Sequence, residues 1–292
     1  MNDNKTSKNS IVAKFAVPIS FLILFFLAAN FTDCDLVTFW KRRSHLTDLV
    51  VDMIPPDFSY IQKILLPLFY TIQMSVTGTV LGTFFALVLS PFGAANLGFP
   101  AVIRRILRIV IQILRSFPAL ILALTATFLF GLGTFAGTFA ITLYTFAIMT
   151  KLTYEDASAA DVKAYQALRA MGVSKYVAYI HGILPEIIPG FLTNALYLLE
   201  TNVRHSSILG YVGAGGIGLL LNEKISWLEY DKVGTILLML FLTVCVIEYF
   251  SRYLTALIRK ERTIKKEQAR LLLLFLAALF LICTFTLSLP DF

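Results

Sequence analysis

Gly213, Gly215 and Gly218 spell G-x-G-x-x-G inside the segment GYVGAGGIGLL, residues 210–220. Glycines at that spacing can fold a tight loop whose backbone N–H groups cradle a pyrophosphate. Such a dinucleotide site also needs a strand before it, a helix after it and an acid about 20 residues on. Asp231 is tolerably placed by count, but long apolar runs flank the glycines, not a β-α-β unit. A P-loop would continue into Lys-Ser/Thr, and Leu219-Leu220 stand there instead. Nucleotide binding is therefore set aside. Gly213, Gly215, Gly216 and Gly218 read instead as a segment that lets backbones approach closely or the chain bend within a membrane-embedded part, beside an outer gate.

Other chemistry-bearing residues are few. Glu200 and Arg204 sit at i, i+4 in an apolar surrounding, acid first, as do Glu248 and Arg252. That order suits a helical ion pair. Intramembrane charges also tend to face protein or water, so Arg204, with Asn202, is a candidate for the outer end of a solute path that favours anions. Thr71, Gln73, Ser75, Thr77, Thr79 and Thr83 make one apolar run unusually polar. These groups either bond helix backbones or wet a path. His181 and His205 read as interfacial hydrogen-bonding residues. Cys34, Cys245 and Cys283 show no metal-ligand spacing. An integral-membrane enzyme acting on lipid would need convergent acid, base or nucleophile groups at one membrane face; three scattered histidines and no paired carboxylates do not supply them.

The elements that hold these residues are set by where charge is missing. Of the 292 residues 58% are hydrophobic, and no Asp, Glu, Lys or Arg occurs in 15–32, 64–103, 116–150, 205–222, 233–247 or 271–290. A helix needs about 20 mostly apolar residues to cross a bilayer, and helices satisfy their own backbone there. The expectation is an all-α polytopic membrane protein of about seven spans, near 13–31, 66–90, 106–131, 135–152, 186–204, 233–255 and 271–289. The first is read as a retained span and not a cleaved signal. With the N-terminus in the cytoplasm, inner segments carry 18 Lys and Arg and outer segments 7, the bias that orients such proteins. That bias also accounts for the net charge of +7 without a nucleic-acid partner. The domains expected are 1–65, a first span and outer loop; 66–257, a transmembrane core; and 258–292, a basic linker and extra C-terminal span.

The longest inner loop, 153–185, contains DVKAYQALRAMGVSKYVAYIHGILP. Lys163 to Met171 favours helix, Gly172 can end it in the left-handed conformation, and Ser174 can cap a second helix. Gly182 and Pro185 are expected to disrupt that second helix. Ala164, Ala167, Leu168 and Met171 recur at i, i+3, i+4 and i+7, one apolar stripe. The stripe either packs on the membrane helices or docks a cytoplasmic partner.

Gln166-Ala167-Leu168, Gly172 and Leu184-Pro185 resemble, in spacing, the "EAA" loop of ABC-importer permeases. Two positions depart from it: Gln166 stands for the usual Glu, and Gly182 for the usual Ile. The segments MIPPDFSYIQKILLPLFYTIQMSVTGTVLG (53–82), ALRAMG (167–172) and ETNVRHSSILGYVGAGGIG (200–218) together resemble the permease of phosphonate importers, whose near relatives carry phosphite and similar phosphorus oxyanions. The resemblance covers roughly 50–257. It implies a MetI-like permease core in the cell membrane, with no catalysis and no cofactor of its own. It also implies a second permease subunit, an extracellular or periplasmic binding protein, and a cytoplasmic ATPase that binds ATP. That ATPase would receive the loop through Ala164, Ala167, Leu168, Met171, Gly172 and Pro185. A permease for methionine or a quaternary amine is the alternative, since such permeases share a similar glycine segment.

Overall fold

The longest charge-free run becomes the longest helix. In the computed structural model, which describes residues 16, 18–28, 31–32 and 40–260, the apolar segment Pro18–Ala28 is helical (α1) and is followed by α2, Arg43–Asp52. The helices that follow are α3 (Ile61–Gly93), α4 (Ala101–Ser116), α5 (Ala119–Phe130), α6 (Thr134–Ala159), α7 (Lys163–Ala170), α8 (Lys175–Gly182), α9 (Leu184–Leu209), α10 (Ile217–Ser226) and α11 (Tyr230–Lys260). The described residues contain no strand.

The segment Phe58–Gly93 and the helices α6 and α11 are each long and apolar enough to cross a bilayer, and two bent pairs raise the count to five if each pair is one span. The expected span 106–131 is one of these pairs. It breaks at Ser116–Pro118, where α4 and α5 meet at 95°. Phe117 is extended, φ −89° and ψ 128°, because the ring of Pro118 disfavours helix for the residue before it. The expected span 186–204 lengthens to α9, which meets α8 at 70°. α8 stops at Gly182, as expected, and Pro185 lies in the first turn of α9, where a missing N–H costs nothing, so it also opens that helix. The expected span 271–289 lies outside the described residues.

The chain divides into two units at Ile54–Pro55, earlier than the expected boundary at 65. The reason is local. Asp57 caps the turn 58–60 by accepting from Ser59 N at 3.0 Å, Thr235 donates to Asp57 O at 3.0 Å, and Tyr60 and Ile64 pack on Ile217 and Ile236. Those contacts tie 55–65 to the second unit. Lys224 completes this corner, 8% exposed, paired with Glu223 at 2.9 Å and Glu229 at 3.1 Å beside the rings of Tyr60 and Trp227. Its partners Glu223 and Glu229 raise the ammonium's pKa.

The second unit is organised around α3 and α6. Lipid tails are as apolar as leucine, so helix association in a membrane rests on close packing and hydrogen bonds. Gly78 and Gly82 supply the closeness. A Cβ at Gly78 would lie 2.6 Å from Ile141 Cγ2, and one at Gly82 2.8 Å from Thr142 O. Met74, Ala136, Ala140, Ile141, Leu209 and Ala214 form the adjoining core.

Candidate functional site

At one end of the bundle, α7 and α8 form a small hairpin. Asp161 accepts from Lys163 N at 3.0 Å at the start of α7, and this backbone bond holds its carboxyl below the usual range. Gly172 ends the helix with φ +86°, where Val173 N donates to Leu168 O at 3.2 Å, the closure that a left-handed residue permits. Ser174 then caps α8, accepting from Val177 N at 3.4 Å. Gly182 is needed for a different reason. A Cβ there would stand 2.8 Å from Tyr165 N, so the close crossing of α8 on α7 excludes the isoleucine of the resembling pattern.

The stripe divides between the two readings made of it. Leu168 turns inward against Leu97, Ala178, Tyr179 and Ile183, with Tyr165 buried beside it. Ala164, Ala167, Met171 and Gly172 are exposed, Met171 at 71%, and Pro185 is exposed as well. Beneath them the short connection 94–100 acts as a hub. Tyr165 Oη donates to Leu97 O at 2.6 Å, Lys175 donates to Gly98 O, and Asn96 Nδ2 donates to Ala157 O at 3.0 Å. Arg108 closes the end of α3 by donating from Nε and Nη2 to Gly93 O at 3.0 and 2.9 Å. Burial pushes the Tyr165 phenol up. The α7–α8 hairpin is thus bonded to the connection that follows α3 and, through Asn96, to the end of α6. Sequence reasoning missed Tyr165 and this hub because a tyrosine in a helix carries no periodic signal of its own.

Midway along α3 lies a polar junction. Thr71, Ser75, Thr77, Thr79 and Thr83 each donate to the carbonyl four residues back, which satisfies them in their own helix. Thr71, Ser75 and Thr79 share one face. Asn202 Nδ2 donates to Thr79 Oγ1 and Thr145 Oγ1, both at 2.8 Å, and Ser75 meets Ser206 at 2.8 Å. Three helices are joined there. Asn202 is fully buried, so the structure separates it from Arg204, with which it was expected to share a lining; two positions on a helix are 200° apart, and Arg204 turns to the exposed face. There it pairs with Glu200, and Glu248 pairs with Arg252. His205 packs edge-on against Tyr144, ring centres 5.3 Å apart, with Nδ1 buried and unpartnered, where a hydrogen-bonding role was expected.

The glycine segment closes a tight reversal between α9 and α10. Gly210 and Gly218 press together: a Cβ on Gly218 would run into Ser207 O and lie 2.9 Å from Gly210 Cα. Gly216 takes φ +71° and ψ −160°, a conformation open almost only to glycine, and delivers Ile217 N to Thr71 Oγ1 at 2.7 Å. Gly213 lies over Leu132 and Gly215 against Thr134, so the turn also seats the α5–α6 connection, where Gly133 N donates to Gly213 O at 2.9 Å. The literal G-x-G-x-x-G is spent on backbone contact.

Among the described residues the chain is an all-helical bundle whose short α7–α8 hairpin is bonded to the connection that follows its longest helix. Residues 78–264 match the family described as binding-protein-dependent transport system inner membrane component, and the chain belongs to it. It is the permease component of an ABC importer. The phosphite transport system permease protein PtxC of Stutzerimonas stutzeri is 31% identical over 217 residues, 74% of this chain and 79% of that protein. The phosphate-import permease protein PhnE of Mycolicibacterium smegmatis is 31% identical over 69% of this chain and 38% of its own longer one. Among solved structures, the inward-facing MetNI methionine ABC transporter shares the fold, with TM-score 0.60 and 20% identity over 69% of this chain and 99% of that one.

Proposed function

We propose that this permease imports small phosphorus oxyanions such as phosphite, phosphonate or phosphate, and that the exposed face of α7–α8 is where a cytoplasmic ATPase pushes. The observation that carries the coupling reading is the exposed Ala164–Ala167–Met171 surface set on a buried hub bonded to the ends of α3 and α6. The substrate reading is supported by what the relatives are named to carry. The likeness to the methionine transporter bears on fold alone. A second permease copy or paralogue completes the pathway, a binding protein outside selects the solute, and the N-terminus is cytoplasmic. Gly213, Gly215, Gly216 and Gly218 form a packed turn at the outer end of α9, fit to hold an outer gate, and Arg204 offers a planar fork to an oxyanion.

The test is uptake of radiolabelled phosphite and phosphate by the complete transporter in proteoliposomes, with methionine and a quaternary amine as competitors. Saturable uptake inhibited by either competitor and not by phosphite refutes the substrate reading. Arg204→Lys keeps charge and loses the fork; its uptake is expected to fall about tenfold, the equivalent of about 1.4 kcal/mol, at unchanged expression. Tyr165→Phe removes one hydroxyl and leaves Leu97 O buried without that bond, at a cost of about 1–3 kcal/mol. Phosphite moved per ATP hydrolysed is expected to drop for this variant while the ATPase still co-purifies. An unchanged ratio would show that the hub does not transmit the stroke.

A further inference from the structure

Glu200, Arg204, Glu248 and Arg252 form one chain of charge across α9 and α11. Arg204 is bonded to Glu200 and reaches Glu248 Oε2 at 3.9 Å, and the other oxygen of Glu248 holds Arg252. Its depth is fixed by the neighbouring junction. Asn202 bonds Thr79, near the midpoint of the 33-residue α3, so Arg204 and Glu200, half a turn above and below Asn202, lie near mid-membrane. The charges are not enclosed by the chain: the side chains of Arg204 and Arg252 are 47% and 78% exposed. Ionised groups at such a depth do not face hydrocarbon. Immediately beside them a cleft of about 400 Å³ opens between the two helices, lined by Thr193, Tyr197, Glu200, Ser251, Arg252 and Thr255. Glu200 and Arg252 bring charge to that cleft, whereas Val246, on the opposite side of α11 from Glu248, shares an exposed apolar stripe with Leu242.

We propose that this face of α9 and α11 walls the aqueous passage, and that Arg204 and Arg252 are its anion contacts, held between passages by Glu200 and Glu248. The assignment rests on the reading of oxyanion import. An entering oxyanion takes the place of a carboxylate on the guanidinium, exchanging one charge-assisted pair for another. Each arginine is therefore never left bare, and the passage is closed to casual anions by its own acids. The bond partners explain why two acids accompany two bases in a pathway for anions.

The experiment is thiol labelling of the complete transporter in membranes, in a background where Cys34, Cys245 and Cys283 are serine. Tyr197→Cys and Thr255→Cys are exposed to a membrane-impermeant anionic thiosulfonate from both faces, with Val246→Cys as reference. A thiol in water ionises and one in hydrocarbon does not, so the two cleft positions are expected to react at least about tenfold faster than the reference. Adding Glu248→Gln is expected to raise the ratio of anionic to cationic reagent rates at Thr255→Cys several-fold, about the effect of freeing one cation at short range, and Arg252→Gln to lower it. Rates equal to that of Val246→Cys would mean that lipid or a partner helix covers the face, and would overturn the proposal. So would a charge ratio indifferent to both substitutions. Labelling needs no transported solute, so a wild-type complex that fails to take up phosphite refutes the substrate reading while the wall is still judged by its labelling.

Discussion

Ala167→Arg is expected to reduce solute uptake to background while the permease inserts, folds and elutes as the wild type does. Ala167 is exposed on α7 and lies outside the buried core beneath the hairpin, so the chain's own stability does not depend on it. Arginine is a good helix former, so α7 itself persists. What changes is the face offered to the ATPase. A contact surface made of Ala164, Ala167 and Met171 lets another backbone come close, and a long charged side chain in its middle must be desolvated or must hold the partner away. Loss of a central contact of this kind costs about 2–4 kcal/mol, enough to lower partner affinity roughly a hundredfold. Two measurements check it: co-purification of the ATPase with tagged permease, and uptake in proteoliposomes at matched permease content. Gly172→Ala is the paired control. It leaves the face small and costs only about 1 kcal/mol for the left-handed conformation at φ +86°. Normal ATPase recovery and normal uptake with Ala167→Arg would remove this face from the coupling surface.

How much of this was legible in the sequence differs by element. The long helices α3, α6 and α11 follow from charge-free runs, because a bilayer excludes charge and the runs are long. The turn of the α7–α8 hairpin was legible, since Gly172 and Ser174 act through local backbone chemistry that needs no tertiary partner. The break at Phe117 was missed, although the proline after it was visible; hydropathy averages over a window and does not register a direction change within an apolar stretch. Pro185 was legible as the break after α8 but not as the start of α9, because a proline that stops one helix is also well placed to begin the next. Asn202 and Arg204 were grouped by proximity in sequence, whereas helical rotation separates them and assigns one to a buried junction and the other to the charged face. The acids and bases at 200, 204, 248 and 252 were legible as two i, i+4 pairs. That they join into one chain depends on the antiparallel packing of α9 and α11, which no local pattern carries. The glycine segment shows the same division. Its composition announced close backbone contact, but the contact partners, Gly210 with Gly218 and Gly216 with Thr71, are fixed only by the folded turn.

That turn yields the second large effect. Gly218→Ala is expected to destabilise the folded permease far beyond the helix propensity of alanine, which taken alone would favour it at this position in α10. The added methyl would run into Ser207 O and stand 2.9 Å from Gly210 Cα, both backbone, so no side-chain rotation relieves it. Relief requires the end of α9 to move away from the start of α10. That motion would pull Ile217 N from Thr71 Oγ1 and loosen the seat of the α5–α6 connection. Overpacking of a core costs about 1–3 kcal/mol when side chains can adjust, and more when they cannot. The expectation is therefore a loss of about 3 kcal/mol or more, seen as a lowered midpoint of thermal unfolding in detergent and as reduced recovery of monodisperse protein. Gly172→Ala is the discriminating control. It has φ +86° and nothing within 4 Å of the added methyl, so its cost is that of conformation alone, about 1 kcal/mol. If the two variants unfold at the same temperature, the cost lies in backbone freedom and the reversal is not sterically locked. If Gly218→Ala alone collapses, the close contact of α9 and α10 is what holds that end of the bundle, and any opening there must move the two helices as one body.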